Sequence, residues 1–79
     1  NNPYSLRLKI EFAVNVLKTD SYNLDKLNIC KDFLHFVINK LGIYNCSHIV
    51  LTNYCEVLRL LNNEKCIFYY KRLLQIFIL

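Results

Sequence analysis

Glycine and proline each occur once in the 79 residues, as Gly42 and Pro3. Hairpins and tight sheet connections draw heavily on those two residues, so their scarcity argues against a β-rich fold. A single glycine also excludes a glycine-rich phosphate-binding loop. No C-x-x-C pair occurs among Cys30, Cys46, Cys55 and Cys66, and none of them stands at zinc-finger spacing from a histidine. Runs of like charge are missing as well. The ten basic residues stand singly except for Lys71-Arg72, so a net charge of +4 forms no basic stripe and nucleic-acid contact is expected to be non-specific at most. No apolar run reaches the ~18–20 residues of a membrane span, and no signal-peptide architecture opens the chain. A soluble, intracellular domain without a membrane partner is expected.

Catalytic parts are equally sparse. The acids are Glu11, Asp20, Asp25, Asp32, Glu56 and Glu64, and no two of them form a facing pair on an apolar stripe. His35 lies between Leu34 and Phe36, where a half-buried structural histidine fits better than a base or a ligand. Cys46-Ser47-His48 is the sole close Cys/His approach and makes a weak metal signal. Neither an enzyme nor a cofactor, metal or small-molecule substrate is expected.

Apolar residues, in contrast, make up 54% of the chain. That density suits one small domain over residues 1–79, near the lower size limit for burying a useful core. A start at Asn1-Asn2 and an apolar end at Ile76-Phe77-Ile78-Leu79 read as a piece of a larger protein. Cys30, Cys55 and Cys66 fall on apolar stripes, as reduced core thiols do; two disulfides remain possible by count.

Periodicity predicts about five short helices. Asn2 caps the first, with Pro3 at its first position; Leu6, Ile10, Ala13, Val14 and Leu17 form its stripe to about Lys18. Asn23 caps the second, which carries Leu27, Cys30, Leu34, Val37, Ile38 and Leu41 and stops at Gly42. A short third helix is expected from a cap at Asn45 to Leu51, and a fourth from Thr52, with Tyr54, Cys55, Val57, Leu58 and Leu61 inward. After Asn62-Asn63 the fifth presents Cys66, Ile67, Tyr70, Leu73, Leu74 and Phe77 to the core. The expected architecture is all-α: two helix hairpins joined by a short linking helix. Tyr69-Tyr70-Lys71-Arg72 sets aromatic beside basic residues, as single-strand binders do, although helical spacing sends Tyr70 inward and leaves Tyr69 as a surface aromatic.

The segment Thr52-Asn53-Tyr54-Cys55-Glu56-Val57-Leu58-Arg59-Leu60-Leu61 resembles the T-x-I-x-x-x-V/L-x-x-I/L segment of the TFIIS N-terminal domain family. Leu17-Lys18-Thr19-Asp20, Leu24-Asp25 and Cys30 are similar to the L-K-I-D, L-D and Cys of one branch, the integrase-binding domain of lens epithelium-derived growth factor. Tyr70-Lys71-Arg72-Leu73-Leu74-Gln75-Ile76-Phe77 is similar to that branch's closing helix. The resemblance spans about Leu6 to Phe77. It implies an adaptor domain of a nuclear transcription-elongation or chromatin protein, monomeric, binding disordered motifs rich in acidic residues and phenylalanine. Its binding residues would be Thr19, Asp20, Ser21, Tyr22 and Leu24 in the first loop, with Asn63, Glu64, Lys65 and Cys66 before the last helix. Asp20 would accept hydrogen bonds from the partner's backbone; its local alternative is an Asx-turn acceptor or helix cap. The loop before the last helix is shorter than in that branch, so a phenylalanine would meet a different pocket, one built by Tyr22, Leu24 and Cys66. The competing reading is a dimerising helical domain with a seam of Ile29, Phe36, Tyr69 and Ile76.

Overall fold

A computed structural model describes residues 3–78. Its four helices are α1 (Pro3–Thr19), α2 (Leu24–Leu41), α3 (His48–Leu60) and α4 (Cys66–Ile78), with no strand among the described residues. The cap expected at Asn2 and the side chain expected inward at Phe77 lie outside the described residues. The fold is all-α, with four helices where about five were expected.

The difference lies between residues 45 and 61, where two expected helices are one. Ser47, at φ −67° and ψ 157°, caps α3 by accepting from the Val50 N–H. Asn45 instead serves the previous helix, its Nδ2 donating to the Leu41 carbonyl at 3.0 Å. Thr52 sits exposed inside α3 and caps nothing. Thr and Asn disfavour a helix interior by only a few tenths of a kcal/mol, and Asn53 Nδ2 bonds back to the Ile49 carbonyl. Burial of Val50, Leu51, Tyr54, Cys55, Val57 and Leu58 along one side of α3 outweighs that cost.

The α2 boundaries follow the sequence reading. Asn23 Oδ1 accepts from Lys26 N at 3.1 Å, and Gly42 ends the helix with its N–H on the Ile38 carbonyl. Gly42 adopts φ 83° and ψ 142°, a region essentially reserved for glycine. An added Cβ would meet only Asn45 Nδ2 at 3.6 Å, so any penalty lies in the backbone conformation. Gly42→Ala should therefore lower stability by about 1–3 kcal/mol, read as a reduced urea midpoint at unchanged slope.

Consecutive helices pack on one another, and α1 also reaches α3. The core runs through Ala13 and Val16, then Leu27, Cys30, Leu34 and Val37, and on to the buried side of α3. Among the described residues α3 is the one helix against which α4 packs, at the flank of a flat body of 34 × 30 × 17 Å. One neighbour covers one narrow strip. Cys66, Tyr69, Leu73 and Ile76, spaced by three and four residues, occupy it. Ile67, Tyr70 and Leu74 are exposed, so the inward face expected for this helix is turned. Tyr69 and Tyr70 exchange roles: Tyr69 packs edge-on against Tyr54, ring centroids 4.8 Å apart. Leu41, also expected inside, is exposed. The proposed dimer seam splits accordingly. Tyr69 and Ile76 are engaged with the core, while Phe36 lies under the Lys9 and Lys40 ammonium groups.

All four cysteines are free, with Cys30, Cys46 and Cys55 buried. Burial, reinforced by the neighbouring Cys66 and Glu56, pushes the Cys55 thiol up to about 11. Burial and the adjacent Tyr69 push the Tyr54 phenol to about 12. Both groups are neutral when protonated, and folding raises both values above the unfolded ones of 9.0 and 10.0. Their stabilisation is thus complete below pH 9 and is lost between pH 9 and 12. Helical circular dichroism should hold to pH 9 and collapse above it; Tyr54→Phe should retain more signal between pH 10 and 12.

Candidate functional site

Two turns carry most of the residues marked by the resemblance. In the first, between α1 and α2, the Asp20 N–H donates to the Val16 carbonyl and the Asp20 carbonyl accepts from Asn23 N. Thr19 Oγ1 bonds back to the Asn15 carbonyl at 2.8 Å. Asp20 Oδ2 receives Lys26 Nζ at 2.7 Å. Both partners of that pair are exposed, so it contributes at most about 1 kcal/mol. Asp20 is therefore neither cap nor Asx-turn acceptor; Asn23 caps α2.

The second turn, between α3 and α4, has a defined helix-ending geometry. Asn62 takes φ 56°, its N–H donates to the Arg59 carbonyl, and Asn63 N reaches back to the Leu58 carbonyl at 2.8 Å. That pair of bonds is a Schellman motif with asparagine in the left-handed position. Asn63 then starts the next segment, its Oδ1 accepting from Lys65 N at 2.9 Å and its carbonyl accepting from Cys66 N.

An open groove of about 410 Å³ lies between the first half of α2 and the α3–α4 turn. Leu24, Asn28 and Lys31 of α2 form one wall; Leu60, Leu61, Asn62 and Asn63 form the other. No carboxylate lines it, and Lys31 supplies its single charge. Lys31 and Asn63 also border an adjoining hollow of about 180 Å³ with Asp32, His35, Tyr54 and Lys65. There Tyr54 Oη and His35 Nδ1 are 3.2 Å apart. On the far side of the turn, Glu64, Cys66 and Ile67 share a third hollow with Arg59, Asn62 and Asn63.

The nine residues marked by the resemblance are thus divided. Leu24 and Asn63 face one groove, Lys65 lies in the hollow beside it, and Glu64 and Cys66 lie across the turn. Thr19, Asp20, Ser21 and Tyr22 line none of these cavities. Tyr22 is 91% exposed and stands clear of any wall. The pocket expected from Tyr22, Leu24 and Cys66 is built instead by Leu24 with Asn28, Lys31, Leu60 and Leu61. Part of that wall was readable: positions 24, 28 and 31 are i, i+4 and i+7 on one helix face. Leu60 and Leu61 gave no such signal, because their stripe is continuous with the core.

The arrangement offers apolar contact, amide hydrogen bonding and one cation, which suits a chain segment better than a reacting small molecule. Among the described residues no group of three or more His, Cys, Asp or Glu side chains could hold a metal ion. No described helix is long and apolar enough to cross a membrane. No protein-family model, curated protein or solved structure matches the chain.

Proposed function

We propose that the domain is a protein-interaction adaptor that captures short disordered segments in the groove between the start of α2 and the α3–α4 turn. One observation carries this reading: the open groove whose leucines and amides come from both structural regions while its only charge is Lys31. Leucine walls accept an apolar or aromatic side chain, the asparagine amides can pair with an extended backbone, and Lys31 favours an acidic neighbour. The resemblance to the TFIIS N-terminal domain family supports the same partner chemistry, a monomeric state and a nuclear setting. Asp20 lies beside this groove in sequence and has one oxygen engaged by Lys26, leaving acceptor capacity for a partner's N–H groups. Ordering of the bound segment keeps affinity modest.

Calorimetric titration with an acidic, phenylalanine-containing peptide tests the reading. Asp20→Asn should weaken binding several-fold, with the thermal midpoint nearly unchanged because its ion pair is exposed. Binding equal to wild type would confine Asp20 to the Lys26 contact. A wild-type domain that binds none of a set of such peptides would remove the adaptor reading.

A further inference from the structure

A fourth concave site lies away from the groove, where the α2–α3 loop meets the middle of α4. It measures about 190 Å³ and is lined by Ile43, Tyr44, Phe68, Lys71, Arg72 and Gln75. That is below the ~300–1,000 Å³ of cavities enclosing a whole small molecule, and fits one unit of a longer partner. The Arg72 guanidinium lies 4.5 Å from the Tyr44 ring centre, and its Nη1 donates to Gln75 Oε1 at a long 3.3 Å. Its Nε–H is enclosed without an acceptor among the described residues. Neither Lys71 nor Arg72 is among the three ion pairs of the described residues. The guanidinium lies over the Tyr44 ring with no carboxylate paired to it among the described residues, a planar cation suited to a phosphate.

The surroundings deepen this imbalance. No Asp or Glu occurs between Asp32 and Glu56, or after Glu64. Both chain segments that build the site are therefore free of carboxylates. Its rings are also partly open: Tyr44 is 76% exposed although Arg72 covers one face, and Phe68 is 59% exposed although Tyr69 meets it at right angles, centroids 5.0 Å apart. Two open aromatic surfaces beside two unneutralised cations are the elements by which proteins hold single strands, with bases stacked on rings and phosphates on the cations.

We infer that this site binds one nucleotide of a single-stranded nucleic acid, its base against Phe68 and Tyr44 and its flanking phosphates on Lys71 and Arg72. The inference is independent of the peptide groove, which shares none of these residues. The recognition is tolerant of sequence, since stacking and phosphate contacts read no base edge.

Fluorescence anisotropy with a labelled ten-uridine RNA at 50 mM NaCl tests it. The wild-type domain should bind, with log affinity falling against log salt at a slope of roughly −1.4, two phosphate contacts at about −0.7 each. Lys71→Glu should weaken binding at least tenfold. Phe68→Ala, an exposed position, should cost about 5- to 30-fold through lost stacking. Lys31→Glu changes the net charge identically but lies in the other groove, and should stay within twofold of wild type. Absence of wild-type binding overturns the inference. So does equal weakening by Lys31→Glu and Lys71→Glu, which would mean diffuse attraction to net charge. Displacement of the RNA by an equimolar polyglutamate peptide also overturns it, since the site would then be a peptide site.

Discussion

Leu34→Ala should lower the thermal midpoint by about 10–30 °C, while Leu74→Ala should move it by no more than a few degrees. Leu34 is completely buried at the centre of α2, within the cluster that joins α1, α2 and α3. Truncating it removes the transfer free energy of its methyl groups and leaves a cavity, together about 2–5 kcal/mol. A domain of 79 residues has only about 4–12 kcal/mol to lose. Leu74 is the same residue type but 58% exposed on α4, so its loss empties no cavity. Its neighbour Leu73 is 7% exposed, and Leu73→Ala should resemble Leu34→Ala. Melting curves of the three variants followed by circular dichroism therefore test the core and the orientation of α4 together. Equal effects of Leu73→Ala and Leu74→Ala would show that α4 is oriented differently.

Lys31→Glu should reduce affinity for an acidic, phenylalanine-bearing peptide by more than tenfold without lowering the thermal midpoint measurably. Lys31 is the one charged side chain in the groove and makes none of the domain's ion pairs among the described residues. Reversing it replaces attraction by repulsion, and like charges brought together across an interface cost up to several kcal/mol. Leu24→Asp should act in the same direction by adding a carboxylate to the α2 wall. Calorimetry measures the affinity, and a melting curve measured alongside separates lost binding from lost folding. Undiminished binding by both variants would place the peptide elsewhere.

The sequence exposed those features that depend on local backbone chemistry. Asn23 and Gly42 bound α2 because one supplies an acceptor for an open N–H and the other occupies a positive φ. Features that depend on how many neighbours a helix finds were less legible. Helix α4 is apolar nearly all round, with Cys66, Ile67, Phe68, Tyr69, Tyr70, Leu73, Leu74 and Ile76 covering most directions. Periodicity cannot choose an inward face from such a pattern, and packing against α3 selects Tyr69 and Leu73 over Tyr70 and Leu74. The division expected at Thr52 failed for a related reason: weak local preference yields where an uninterrupted apolar side is buried. In the candidate site, Leu24 and Asn63 were identified from the resemblance. Lys31 was missed because a lone lysine at helical spacing looks the same whether it faces a groove or open water.

The most direct test of the central claim, that one groove joins the start of α2 to the α3–α4 turn and receives a chain segment, is a two-dimensional NMR titration. The domain is titrated with acidic, phenylalanine-containing peptides while its backbone amides are followed. The account predicts shifts concentrated on Leu24, Asn28, Lys31 and Leu60 to Lys65, with α1 nearly silent before Lys18. Shifts confined to the exposed side of α4, around Ile67 and Leu74, would contradict it.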